Sequence, residues 1–246
     1  MGKIKKILGI IPARMASSRF YGKPLIDIGG KTMIQRVYEQ AKRSTILSEL
    51  IVATDHDAIK NEVERFGGKT IMTSNTCKNG TERCADALEK LNNQYDIVIN
   101  IQGDEPFFDP DSLNILANCF IEGDIKIATL VKKIDKKEEI DESTIVKVVF
   151  NQNNEALYFS RAAIPFNREN IPIDYYKHIG IYAFKGSVLR ELVMLPSSRL
   201  EMSEHLEQLR WLENGYNIKI GFTMHDSNSV DTPQDLEQLK KQFGIE

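Results

Sequence analysis

Cysteine is scarce in this chain: Cys77, Cys84 and Cys119 are the only three, with no CxxC pair and no histidines at zinc spacing. An odd count in that arrangement argues against a disulfide framework or a structural zinc, and reads as reduced thiols of a cytoplasmic protein. Long apolar runs are missing too, since no stretch approaches the ~20 apolar residues of a membrane span. The opening MGKIKKILGIIPARMA imitates a signal peptide with its lysines, apolar run and small residues. Its run, Ile7 to Ile11, is cut by Pro12 and Arg14, short of the ~7–15 apolar residues an h-region requires. It is expected to form a buried first strand, and the sequon Asn79-Gly80-Thr81, without a secretory route, a turn. Charge of one sign is lacking as well: a net −3 gives no whole-chain attraction for nucleic acid, which needs clustered Lys and Arg. Neither nucleic acid nor membrane is an expected partner.

What is present suits a soluble globular protein, with 41% hydrophobic and 27% charged residues arguing against disorder. A length of 246 residues suits one α/β domain over residues 1–246, with a small appended lobe. Apolar β-branched runs alternate with helical patterns, as in a sheet whose parallel strands are joined by helices. Strands are expected at Ile7–Ile11, Leu50–Thr54, Thr70–Thr73, Ile97–Gln102 and Ile127–Val131. Helices are expected near Met33–Lys42, Asp57–Phe66, Glu82–Leu91 and Ser112–Phe120, with Gly67-Gly68 a stop. Such doubly wound domains bind ligands beyond the carboxyl ends of their strands. The pattern changes after Lys132. A charged stretch, Lys132–Glu142, precedes two short strands, Ile145–Phe150 and Ala156–Ser160, around the turn-like Gln152-Asn153-Asn154, which suggests an antiparallel hairpin. A strand at His178–Phe184 and helices at Ser187–Met194, Ser203–Glu213 and Pro233–Gln242 complete the reading.

The chemistry starts after the first strand, in Pro12-Ala13-Arg14-Met15-Ala16-Ser17-Ser18-Arg19-Phe20-Tyr21-Gly22-Lys23-Pro24. Two arginines, a lysine, hydroxyls and a glycine at a strand's end have the composition of a phosphate cradle. A solvated basic turn has the same composition. It is not a Walker loop, because Pro24 follows Gly22-Lys23, and the GxGxxG fingerprint is missing. A second site follows Ile97–Ile101 in Gln102-Gly103-Asp104-Glu105-Pro106. Asp104 there can hold a hard cation, while Gly103 permits close approach of a phosphate, although a turn or N-cap aspartate looks the same. Asp231, in Val230-Asp231-Thr232-Pro233, reads by itself as a helix cap.

Taken in order, IIPARMASSRFYGKPL, IVATDHD, NGTERCADAL, VINIQGDEPF, ALYFSRAAIPF, HIGIYAF, LEQLRWLENGY and VDTPQDLE resemble the 3-deoxy-manno-octulosonate cytidylyltransferase (CMP-Kdo synthetase) family over nearly the whole chain. Tyr21 departs from the family pattern, which has proline there. The resemblance implies a Rossmann-like, predominantly parallel α/β sheet of the nucleotide-diphospho-sugar transferase type. It also implies a small β-rich lobe, residues 132–177, that helps build a homodimer. The implied reaction transfers the cytidylyl group of CTP to the acidic sugar 3-deoxy-manno-octulosonate (Kdo), for lipopolysaccharide synthesis. Arg14, Ser17, Arg19, Lys23, Thr73, Ser74, Arg83 and Asp104 are then expected at the nucleotide, with Arg14, Arg19, Lys23 and Asp104 catalytic. Gln102, Arg161, His178, Tyr182, Glu207 and Gln208 are expected at the sugar, and Asp104 with Asp231 on Mg²⁺. The bland alternatives are a core histidine for His178, a strand aromatic for Tyr182 and a solvated helix face for Glu207 and Gln208. Two further readings stand beside this one. Asp55-His56-Asp57 matches the DxD metal motif of nucleotide-sugar glycosyltransferases, although Asp57 there suffices as a helix cap, and the acceptor could instead be 8-amino-Kdo.

Overall fold

The computed structural model describes residues 5–16, 20–92, 94–121, 123–227 and 229–245. Two compact units divide the chain, one of residues 1–114 with 227–246 and the other of residues 115–226.

In the first unit the apolar runs become β1 (Ile7–Ala13), β2 (Glu49–Thr54), β3 (Thr70–Met72) and β4 (Ile97–Asn100), paired in parallel in the order β3-β2-β1-β4. The near-continuous burial of β1, β2 and β4 is what parallel strands covered on both faces require, while β3 at the edge is only partly buried. Helices α1 (Met33–Lys42), α2 (Asp57–Arg65) and α3 (Gly80–Lys90) make the crossovers. Each starts where a side chain takes up an orphan backbone N–H: Thr32 bonds Gln35, His56 bonds Ala58, and Asn79 bonds Glu82. Two expectations are corrected here. The glycosylation-like Asn79 is a helix cap, and α2 is capped by the His56 ring, because Asp57 already lies inside the first turn.

The chain leaves this unit along α4 (Asp111–Asn118). The second unit contains β5 (Ile127–Lys133), α5 (Glu138–Asp141), β6 (Lys147–Phe150), β7 (Ala156–Ser160), β8 (Tyr176–Lys185), α6 (Leu189–Met194), α7 (Arg199–Glu204), α8 (Gln208–Glu213) and β9 (Ile218–Phe222). β5 pairs antiparallel with β8 and parallel with β9, and β6 with β7 forms the expected antiparallel hairpin. The expected single helix over Ser203–Glu213 is two, α7 and α8, because His205 takes the left-handed φ of 53° and ends the first. Strand β9 was not anticipated.

Residues 227–246 then return to the first unit and end it in α9 (Pro233–Phe243). Leu236 and Leu239 of α9 pack with Val230, Ile28 and Met33 in a buried cluster. Each fully buried side chain of this size contributes about 1.5–3 kcal/mol, enough to seat the segment that carries Asp231.

Candidate active site

At the end of β1 the backbone turns through Arg14, and Gly22, with φ 72°, swings it into the 3-10 turn Lys23–Leu25. Gly22 N–H donates to the Met15 carbonyl at 3.1 Å and closes the loop. Ser17 and Arg19 lie outside the described residues. Lys23, largely withdrawn from solvent, points its ammonium at Asp104 Oδ2, 2.8 Å away, and Asp231 Oδ1, 3.2 Å away. The structure therefore brings together the three residues from three distant parts of the chain.

Close backbone passage makes this meeting possible. A Cβ on Gly103 would stand 2.8 Å from the Pro12 carbonyl oxygen, so the exits of β1 and β4 meet only because residue 103 has no side chain. The Asp104 carbonyl accepts Val230 N–H at 2.9 Å, and Ser227 Oγ donates to Glu105 Oε1 at 2.6 Å, drawing the returning segment onto the β4 exit. Asp231 is not the cap it resembles in sequence. Thr232 caps α9 in a reciprocal box with Asp235, which leaves the Asp231 carboxylate to face Lys23. Glu105 is buried beside these acids; desolvation pushes its carboxyl up to about 7, with the Asp104 charge adding and the Ser227 bond opposing.

Arg83, on the first turn of α3, is almost wholly buried. It donates to Thr73 Oγ1 at 2.6 Å and pairs with Asp55 Oδ2 at 2.9 Å. The first acid of the DxD motif is thus spent on a guanidinium. Ser74 is held from both sides, its N–H by Asp86 Oδ2 at 2.7 Å and its carbonyl by Arg83 at 3.5 Å. A cavity of about 320 Å³ is lined by Arg14, Lys23, Arg83, Gln102, Asp104 and Asp231, and also by Lys78 and Asn79, which sequence reading missed. Their place just ahead of α3 was the available signal, for Arg14 donates to the Lys78 carbonyl at 3.3 Å. Thr73 and Ser74 do not line this cavity and reach it through Arg83.

The remaining candidates gather in the second unit around β7, β8 and the α7–α8 junction. A β-bulge in β5 between Thr129 and Leu130 sets the Thr129 hydroxyl 2.9 Å from His178 Nε2. The His178 ring packs on Phe159 and Tyr182, with centroids at 5.1 and 5.3 Å. Desolvation pushes its pKa down to about 3, so at neutral pH it offers a hydrogen bond and no charge. Burial, with the Glu207 charge adding, raises the Tyr182 phenol well above its ordinary value. The Tyr182 hydroxyl and Gln208 Nε2 are buried without a hydrogen-bond partner among the described residues. Arg161 Nε donates to the Glu204 carbonyl at 2.8 Å and Nη1 to the Ser143 carbonyl at 3.1 Å. Among the described residues no carboxylate pairs with its guanidinium.

Two carboxylates converging on one ammonium show that this spot accepts a cation between oxygen donors, which fits a hard divalent ion. Among the described residues no group of three or more metal-ligating side chains occurs, so any such ion would complete its shell with phosphate oxygens and water, as magnesium commonly does.

Comparison with known proteins gives consistent results. Residues 8–220 match the cytidylyltransferase family. The chain is 49% identical to 3-deoxy-manno-octulosonate cytidylyltransferase of Parabacteroides distasonis over 95% of this chain and 96% of the relative. It is 51% identical to the enzyme of that name from Fusobacterium nucleatum over 95% of each. It is also 46% identical to 8-amino-3,8-dideoxy-manno-octulosonate cytidylyltransferase of Shewanella baltica, covering 96% of this chain and 98% of that one. A solved CMP:2-keto-3-deoxy-manno-octonic acid synthetase complexed with CTP superposes with a TM-score of 0.92 at 41% identity, covering 97% of this chain and 98% of that one. The 4-diphosphocytidyl-2C-methyl-D-erythritol synthase of Anaerococcus prevotii shares the fold alone, at 15% identity and a TM-score of 0.65 over 98% of this chain and 100% of the other.

Proposed function

Because the chain belongs to the 3-deoxy-manno-octulosonate cytidylyltransferase family, we propose a division of labour for its reaction, the transfer of the cytidylyl group of CTP to Kdo with release of pyrophosphate. The observation that carries it is the Lys23 ammonium held between Asp104 and Asp231 beside Arg14. Arg14 and Lys23 bind the triphosphate and balance the charge that builds on it as the anomeric hydroxyl of the sugar attacks the α-phosphorus in line. Arg83, steadied by Asp55, with Thr73 and Ser74 behind it, selects the base; Ser17 and Arg19 are assigned to the nucleotide by the family resemblance. Asp104 and Asp231 hold Mg²⁺, which when bound offsets phosphate charge and aligns the reacting groups.

The sugar's carboxylate is received by Arg161, whose charge no acid compensates among the described residues. Its hydroxyls meet Gln102, Tyr182, Glu207 and Gln208, and His178 donates or accepts as a neutral ring. The Tyr182 hydroxyl and Gln208 Nε2, unsatisfied among the described residues, support this reading, since an unsatisfied buried polar atom costs about 1–3 kcal/mol and calls for a ligand. We also infer that residues 132–177 carry a homodimer surface, on which Phe166 and Ile171 stand exposed. A cytoplasmic location goes with three cysteines that form no disulfide among the described residues; among those residues, no helix is long and apolar enough to cross a membrane.

The test is pyrophosphate release from CTP with magnesium and either Kdo or its 8-amino analogue. Release is expected with Kdo and is expected to be lost in Asp231→Asn. Silence with both sugars would reject the reading. Asp57→Ala should leave the rate within about twofold, as a surface substitution away from the site does, whereas its inactivation would revive the glycosyltransferase alternative.

A further inference from the structure

Lys147 of β6 is completely buried, and no acid pairs with it among the described residues. All three of its ammonium donors are used, on the carbonyls of Glu142 at 2.8 Å, Ile145 at 2.7 Å and Arg161 at 2.5 Å. Burying a charge is costly, and an apolar side chain of similar length would fill the same space without that cost. What the ammonium supplies and a methyl group cannot is a single point that ties three separate pieces of backbone together: the end of α5, the entry to β6 and the exit from β7.

Those pieces aim Arg161. Ser143 lies between two of the tied carbonyls, and its own carbonyl accepts Arg161 Nη1. On the other side Glu204 accepts the Arg161 backbone N–H with its carboxylate, at 2.9 Å, and Nε with its carbonyl. Neutral carbonyls thus fix the guanidinium plane while leaving its charge unspent. The buried Arg83 and Arg210 differ, for each is neutralised by a carboxylate, Asp55 and Glu201 respectively. A cation oriented in advance and left uncompensated loses little on meeting an anion. Resting on the reading of Arg161 given above, we infer that Lys147 is a positioning residue for the acidic-sugar subsite, setting the backbone that presents Arg161 to the substrate carboxylate.

The experiment is steady-state kinetics of the full chain with each substrate varied in turn. Lys147→Met is expected to raise the KM for Kdo about tenfold or more, the scale of a charged hydrogen bond, while the KM for CTP stays within about twofold. In an Arg161→Met background, adding Lys147→Met should change the sugar KM less than about twofold, because the two act through one guanidinium. With the methyl ester of the sugar, which carries no carboxylate charge, Lys147→Met should have no selective effect. If Arg161→Met itself leaves the sugar KM unchanged, the reading of Arg161 falls and the inference with it. If Arg161→Met raises it and Lys147→Met does not, or raises both substrates' KM together, only the role of Lys147 falls. Should Lys147→Met not fold, Lys147→Gln, which retains two donors, replaces it; failure of both to fold overturns the inference, since Lys147 would then serve folding alone.

Discussion

A lysine lodged between two aspartates is already satisfied, so a triphosphate can recruit Lys23 only if something else balances those acids. On the proposed reading Asp104 and Asp231 would be balanced by the divalent ion that accompanies CTP, which would free Lys23 for the phosphates. His178 makes a different point at this scale. Its folded pKa, about 3, lies below the ordinary 6.5, so the unfolded chain binds the extra proton between those values. The stability it contributes is therefore whole above pH 6.5 and is lost as pH falls toward 3. Chemical denaturation of His178→Gln across this window should show a shallower fall than the wild type, by at most about 1.4 kcal/mol per pH unit. An unchanged slope would mean that the ring is not desolvated as described. Lys23 was legible from the phosphate-cradle composition of its loop, whereas Asp104 and Asp231, which locally read as turn or cap acids, were picked out through the family resemblance. The state of Arg161 was not legible, since its orientation comes from carbonyls 18 and 43 residues away, and no local pattern encodes a backbone oxygen.

Among the elements, the β1 and β4 exits form the tightest fit. Gly103→Ala puts a methyl group 2.8 Å from a backbone oxygen that cannot rotate aside, so the strand ends must part. The expected result is a loss of about 1–3 kcal/mol, as for other overpacked positions, with a larger loss of turnover than of CTP binding. A fully active Gly103→Ala would show that the exits tolerate separation. Parallel strands and amphipathic helices were read well in sequence because burial on both faces writes Val and Ile runs, as in β1 and β4, and because an apolar stripe recurs at helical spacing, as in Met33–Lys42, which falls where expected. β9 escaped notice because it is only five residues long, with Lys219 between Ile218 and Ile220, and needs β5 beside it to be a strand. The break between α7 and α8 escaped for the opposite reason: the apolar spacing continues through it, and a left-handed His205 carries no sequence mark of the kind glycine supplies.

For the molecule as a whole, the claim most open to test is assembly. Phe166, 87% exposed, and Ile171, 57% exposed, stand on the segment assigned to a dimer surface. Light scattering is expected to return the mass of two chains, and Phe166→Asp to return one, because a charge in an apolar interface must be desolvated. A wild-type monomer would remove the dimer and leave the chemistry untouched.

The unit that holds Lys23 and Asp104 is interrupted by residues 115–226 and finished by a later segment. During translation, then, the ribosome delivers Asp231 only after the whole intervening unit has been made. On the proposed reading, a nascent chain that has reached residue 226 owns Lys23 and Asp104 without Asp231, and would not yet turn over CTP.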